Sequence, residues 1–377
     1  MAPIKTSLGR SVGKLIESWR GRDAIGGLKL NSTIVTNRDN NAVLYDVTGG
    51  TEITSGDYKY HVFYQTGSLT IASSPTGKLS LSNPDNFGRF DYLVVAGGGG
   101  GGATRAPGNG GRGGGGGGGV RSNDPNYPFA TPDTALLVPG LATPYTYTVT
   151  VGEGGAAANL PTGYPPPAGA SGGNSSIIGP DHPGSGGAGG LVATGGGGGT
   201  VLPGQASGEG GSGGGGAYGT LVDGTSVSSP DGLSPTSQGF DGGGGQGAGG
   251  GGGGSGAESS LPNSSTGGSG AAFPEYPGPV MAPGIPTGPT WSPYVGTDGY
   301  YAGGGGGGGG YSSSVGGDGG NGGGGVGSDH PTTPNAPADP GVNYTGGGGG
   351  GGSGPGPENF NAGDGGHGVV IVRYKYQ

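Results

Sequence analysis

Between residues 31 and 96, apolar positions alternate with polar ones or gather in short runs at 32–36, 43–47, 58–64, 68–72, 78–81 and 90–96, with turn-forming Gly, Asn, Asp, Ser or Pro between them. β-Branched and aromatic residues fill these runs, so the pattern predicts a small antiparallel β-domain over 31–96. The last run, Tyr92-Leu-Val-Val-Ala96, is apolar at every position and opens straight into glycine at 97–102, which predicts a buried strand leading into a glycine region. Two strand signals stand apart, at 145–151 and in GVVIVRY at 368–374. The second is expected to return and pair beside residues 92–96, closing the β-domain with 368–376 and making 97–367 an insertion held at both ends.

Upstream the period changes. Leu8, Val12, Leu15, Ile16 and Trp19 recur at helical spacing, with Ser7 placed to cap the helix and Gly21 to stop it. A short amphipathic helix is expected in the segment 1–30. Arg10, Lys14 and Arg20 decorate its other side, so it can dock on another subunit, pack on its own domain, or lie on a membrane surface.

Composition changes the picture of the insertion. Glycine supplies 109 of 377 residues and proline 32, while 29% are hydrophobic, so one uniform side-chain core is not expected. Such content without a Gly-X-Y period is ordinarily the mark of disorder, because glycine loses the most backbone freedom on folding. Nearly pure glycine returns nine times, however, at 97–102, 113–119, 195–199, 213–216, 242–245, 249–254, 303–310, 322–325 and 346–352. Flexible linkers mix Gly with Ser and are needed once between domains, so the recurrence favours an architectural element. The expected element is the polyglycine II helix, extended, left-handed and threefold, whose outward N–H and C=O groups can be satisfied only by neighbouring helices. The expected fold class is therefore mainly β with non-regular structure: a small antiparallel β-domain followed by a polyglycine II bundle, with a short N-terminal helix.

Charge and motifs then exclude chemistry. Residues 1–30 hold six Lys or Arg against Glu17 and Asp23, yet no Lys or Arg occurs between Ser122 and Val372, where sixteen acidic residues are scattered singly. A surface without cations does not hold phosphate, so nucleic acid is not an expected partner. With no cysteine there are no disulfides or thiolate metal sites. The start, MAPIKTSLGR, lacks the apolar core of a secretory signal, and no run reaches the roughly 18 apolar residues of a membrane span, so no membrane insertion is expected. Glycine runs match a dinucleotide motif trivially, but no P-loop or βαβ context follows. Asp181-His182-Pro183 and Asp329-His330-Pro331 recur, more as turns than as ligands, and Asp223, Asp241, Asp298 and Asp318 lack calcium-loop spacing. No cofactor and no metal are expected. No Ser, His and Asp trio or carboxylate pair stands in a recognisable catalytic context, so the chain is not expected to be an enzyme; a glycan-degrading enzyme is the least favoured reading.

Six segments carry a resemblance: YLVVAGGGGGG at 92–102, GGGGGGGV at 113–120, YTVTVGEGG at 147–155, GGNSSIIG at 172–179, ATGGGGG at 193–199 and GDGGHGVVIVRY at 363–374. In residues and order they resemble the glycine-rich domain of phage tail-fibre adhesins, over roughly residues 58–377. That resemblance implies a β-domain from which antiparallel polyglycine II helices emerge, as in the tip adhesins of T-even-type phages, with receptor-binding loops at the distal end. MAPIKTSLGRSVGKL is also similar to the start of virion structural proteins from cyanophages and related marine phages. The N-terminal helix, through Leu8, Val12, Leu15, Ile16 and Trp19, would then anchor the chain to other tail proteins. T-even tip adhesins sit on a separate fibre, so this chain departs from them there.

The implied function is attachment to a host surface receptor, an outer-membrane protein or lipopolysaccharide, by a virion protein made in the host cytoplasm; monomer and homotrimer both fit. An architectural tail or capsid decoration is the alternative. Receptor contact is expected from aromatics set among Pro, Ser, Thr and Asn, the composition of a preorganised paratope: Tyr127, Phe129, Tyr164, Phe273, Tyr276, Trp291, Tyr294, Tyr300, Tyr301 and Tyr344. The richest loop is 257–302, with 120–145 and 329–344 behind it. Part of this set is expected to pack as local cores instead.

Overall fold

The structure is a computed structural model, and it describes residues 45–73, 90–103, 110–130, 145–158, 167–179, 190–219, 224–228, 230, 236–259, 265–310, 315–329, 337–353 and 361–375. The expected helix at 7–20, its five apolar residues, the strands at 32–36 and 78–81, and Tyr164 lie outside the described residues. The described part is mainly β, with few and short helices.

Among the described residues twelve strands form: β1 Tyr45–Thr48, β2 Thr51–Ser55, β3 Tyr58–Phe63, β4 Gly67–Ser73, β5 Phe90–Val95, β6 Val120–Ser122, β7 Tyr145–Thr150, β8 Ser175–Ile178, β9 Gly190–Ala193, β10 Ala271–Ala272, β11 Tyr300–Tyr301 and β12 Val369–Lys375. Ten of them make two five-stranded sheets, in the orders β1-β4-β7-β8-β9 and β2-β3-β12-β5-β6, while β10 pairs with β11. Each pairing between these strands is antiparallel. The C-terminal strand β12 lies between β3 and β5, with Val370 opposite Val94 and Val372 opposite Tyr92. Strands β7, β8 and β9 come from inside the glycine-rich stretch, so the sheets draw on more of the chain than residues 31–96.

The two sheets differ in how their faces are used. In the first, Leu69, Ile71, Tyr147, Val149, Ile177 and Leu191 point into one core while Ser68, Thr146 and Thr148 on the other face are exposed. In the second, Phe90, Tyr92, Val94, Val370, Val372 and Tyr374 enter that same core, whereas Leu93, Val95, Val369 and Ile371 enter another on the opposite side. Because side chains alternate across a strand, a strand buried on both faces must be apolar throughout, which is why residues 92–96 and 369–372 do not alternate.

The glycine runs continue from the strand ends. Gly97 and Gly100 donate to the carbonyls of Gly173 and Ala170, Gly98 and Gly101 to Gly366 and Gly363, and Gly99 and Gly102 to Gly116 and Gly113, all between 2.8 and 3.0 Å. Bonding directions therefore repeat every third residue, and partner numbers fall as donor numbers rise, so these three neighbours run antiparallel. In the next run, Gly113, Gly116 and Gly119 reach Thr200, Gly197 and Thr194, Gly115 and Gly118 reach Gly349 and Gly346, and Gly114 and Gly117 reach Gly250 and Gly253. The last neighbour is parallel. Residues 97–102 and 113–119 are buried throughout. The reason for glycine is proximity: a Cβ at Gly99 would fall on the Gly197 carbonyl, and one at Gly115 on that of Gly99.

Candidate functional site

Residues 271–302 build a cover over the outer face of the second sheet. Strands β10 and β11 close its base, Ala271 opposite Tyr301. Extended Pro277 introduces the helix Gly278–Met281, a 3-10 turn follows at Ala282–Gly284, and the helix Gly288–Val295 starts with proline in its first turn, where a missing N–H costs nothing. That helix ends at Gly296, whose φ of 67° favours glycine and whose N–H reaches the Ser292 carbonyl at 2.9 Å. Met281, Ile285, Trp291 and Val295 are buried against Val62, Leu93, Val95 and Ile371 of the sheet. The approach is close, since a Cβ on Gly284 would meet the Val62 Cβ at 2.8 Å.

Most of the aromatics expected to contact a receptor lie in this core. Tyr127, Phe273, Tyr276, Trp291 and Tyr301 are buried, Phe129, Tyr300 and Tyr344 are half-buried, and Tyr294 is 55% exposed. The rings form a chain: Phe129 on Tyr127 at 5.7 Å, Tyr127 on Phe273 at 5.1 Å, Phe273 on Tyr301 at 6.3 Å and Tyr301 on Trp291 at 6.2 Å. Phe240, another aromatic set among such polar residues, joins Phe129 at 5.1 Å. Their polar ends are satisfied internally, as buried Tyr and Trp require. Tyr127 donates to the Gln238 carbonyl at 2.9 Å, Tyr301 to the Tyr276 carbonyl at 2.9 Å, and Trp291 to the Tyr344 carbonyl at 3.2 Å. Burial pushes the Tyr127 and Tyr301 hydroxyls far above their usual range. Tyr344, at a positive φ of 65°, sets its ring against Tyr64 and His367.

Gln238 closes one flank of the two sheets. It accepts the Val120 N–H at 3.1 Å through its own carbonyl, donates from Nε2 to the Val192 carbonyl at 2.7 Å, and accepts the Thr194 N–H at Oε1 at 2.7 Å. At the other end of β5 and β12, Arg373 pairs with Asp91 at 2.9 Å and lies over the rings of Tyr58 and Tyr276 at 4.7 and 5.3 Å. Burial opposes its charge, but neighbouring Tyr276 and Asp91 outweigh that and raise its pKa.

The glycine runs lead away from the sheets to a second end. There Ala103, Ala158 and Val201 form a small apolar cluster with Leu202 and Ala362 packed on it. Nearby, Tyr218 donates its N–H to the Gly111 carbonyl, Gly308 to that of Arg112, and Gly309 to that of Ser328. Ser353 donates to the Asp329 carbonyl at 2.7 Å. Buried Arg112 has its pKa lowered to about 10 by desolvation. Tyr218 is 37% exposed, and Pro203 and Gly204 are exposed beside Val201. Among the described residues no three His, Asp or Glu gather where they could hold a metal, and no helix is long and apolar enough to cross a membrane.

These observations describe a chain in which glycine is structural along most of its length, and a model of a glycine-rich domain matches residues 73–375. The chain belongs to this glycine-rich domain family. The match begins at the end of β4 and closes on the last residue of β12, so it takes in both the glycine runs and the strands that bracket them. No curated protein matches the chain.

Proposed function

We propose that this glycine-rich chain is a bacteriophage tail-fibre adhesin: its runs are polyglycine II helices, and the bundle they form carries a recognition surface at the end remote from the sheets. The observation that carries the reading is the period of three in the lateral hydrogen bonds, with runs 97–102, 113–119 and 303–310 each bonded in turn to three different neighbours. A helix with three residues per turn and no internal bonds presents its N–H groups in that sequence of directions. Such a bundle is rigid and needs no side chains, so it suits a part that must hold other segments outward.

The order of the chain supports a direction of attachment. Residues 1–44 enter at β1 on the sandwich, so if they anchor the chain to other tail proteins, the end marked by Ala103, Ala158, Val201 and Tyr218 is outermost. In sequence, 104–109, 159–166, 330–336 and 354–360 follow described residues of that end, and their Pro, Asn and Thr content suits adaptable polar contact. Among the described aromatics, Tyr218 and Tyr294 are the exposed ones, and Tyr294 sits on the cover at the sandwich end. The partner is a host surface receptor, protein or lipopolysaccharide, bound without chemistry.

The test is binding of labelled chain to a panel of bacterial strains. The intact chain is expected to bind at least one strain, with binding lost when Leu202–Ala206 is replaced by Gly and Ser together with Tyr218→Ala, and kept in Tyr294→Ala. Binding to no strain, with capture of virion subunits instead, would replace this reading by an architectural one; release of sugar from cells would replace it by an enzyme.

A further inference from the structure

Exposure along one side of the glycine runs follows the same period of three as their hydrogen bonds. Five runs lie side by side there, 152–158, 361–368, 337–343, 323–329 and 315–321: Gly365 donates to the Gly155 carbonyl, Gly341 to that of Asp364, Asp339 to that of Val326 and Gly327 to that of Gly317, all between 2.8 and 2.9 Å. Within a run the exposed residues stand three apart, as Val315, Asp318 and Asn321 do, or Pro337, Pro340 and Asn343; Asp339 is the exception among the described residues. No exposed residue of these five runs is a glycine, whereas the buried ones nearly all are. The buried positions need glycine because a Cβ on Gly317 would fall on the Ser265 carbonyl, and one on Gly327 on that of Gly307.

We propose that the outward side chains of these runs are guards: they close this side to a further glycine run and so keep a second copy of the chain from adding to it. Gly327 bonds to Gly317 and Gly324 to Gly320, a register that sets Val326 level with Asp318. The N–H groups of Val326 and Asp318 have no partner among the described residues, and unpaired backbone on an exposed edge is a template for another chain. A run arriving from outside needs the close approach that neighbouring runs have, and a single Cβ forbids it. Val315 is 61% and Val326 40% exposed, and a branched apolar side chain facing water suits a steric stop better than it suits solubility. Other donors on this side are already taken by side chains of the adjacent run: Ala157 N–H by Asp364 Oδ1 at 2.7 Å, Gly154 N–H by His367 Nδ1 at 3.1 Å and Gly316 N–H by Asp329 Oδ1 at 2.8 Å. Pro340 has no N–H to offer. The partner kept out is the same pair of runs, 315–321 and 323–329, on a second copy, because a face of backbone donors and acceptors complements itself about a twofold axis.

The test is sedimentation velocity of the full chain over a range of concentrations. Asp318→Gly combined with Val326→Gly is expected to at least double the sedimenting mass relative to the parent, while Asp318→Ala combined with Val326→Ala keeps the parent's mass, because one Cβ on each run suffices. A cooperative melt establishes that the glycine variant is folded, and Val326→Gly alone serves if the pair is not. The parent's mass is expected to hold when salt is raised, which screens charge and leaves shape untouched. A folded glycine variant that keeps the parent's mass would overturn the proposal. So would association of the alanine variant to the same extent, or of the parent in high salt, since bulk or charge rather than the Cβ would then hold copies apart.

Discussion

The sandwich and the glycine runs are two interiors built on opposite terms. Between the sheets, space is filled by side chains such as Tyr92, Ile71 and Val372, and stability follows the apolar area removed from water. Among the runs there is almost nothing to bury, and the interior is backbone against backbone, as where Gly305 donates to Gly115 and Gly115 to Gly349 at 2.8 Å. Ordering a residue there costs about 1–2 kcal/mol of chain entropy, while a lateral hydrogen bond returns about 1 kcal/mol and a Cα–H···O contact about 0.5–1 kcal/mol. One run alone gains nothing. Only a set in which each run satisfies several others can hold, and both ends of the set are tied to the paired strands β5 and β12.

The comparison breaks most visibly where a side chain is forced into the backbone interior. Gly115→Val would set a branched side chain on the Gly99 carbonyl, so the two runs must part and lose their bonds; a loss of about 5 kcal/mol, seen as a large drop in melting temperature, is expected. In the side-chain interior the large effect comes from removal instead. Trp291→Ala should cost about 3–5 kcal/mol in denaturant unfolding through the cavity left between cover and sheet. At the boundary of the two interiors, Gln238→Ala removes the hydrogen bonds its side chain makes to the Thr194 N–H and the Val192 carbonyl and should cost about 2 kcal/mol.

The smallest effect sharpens the sandwich alone. His61 is buried, with Nδ1 donating to the Gly49 carbonyl at 2.7 Å and its ring stacked on Tyr374 at 5.9 Å. Burial lowers its pKa below the ordinary 6.5, so its unfolded form takes up a proton first. Its contribution is complete above that value and is lost as pH falls through it. A plot of stability against pH should fall on the acid side in the wild type and fall less in His61→Gln, with the alkaline side unchanged by this substitution.

Much of this was legible in the sequence, and the exceptions share a cause. Strand runs at 58–63, 67–73, 90–95, 145–150 and 369–375 announce themselves through β-branched and aromatic residues. Strands of three or four residues, such as β6, β8 and β9, are too short to show a period, and their pairing depends on partners far along the chain. Strand β2, TEITS, holds a single Ile and passes for a turn region. In sequence the aromatics of 257–302 fit a displayed loop as well as a local core, because Tyr, Trp, Pro and Ser are common to paratopes and to tightly packed covers. One signal could have separated the two: Tyr92-Leu-Val-Val-Ala96 is apolar on both faces, and a sheet needing a second cover must find it among distant apolar residues, here Phe273, Tyr276, Met281, Trp291 and Val295.

The central claim, that the glycine runs form a hydrogen-bonded interior rather than linkers, is tested most directly by amide hydrogen exchange along 97–102 and 113–119. The account predicts that Gly99, Gly100, Gly115 and Gly116 exchange as slowly as Leu93 and Val94 of β5, because both sets open only with the whole fold. Exchange of those glycines at the rate of a free peptide, while β5 remains protected, would contradict it.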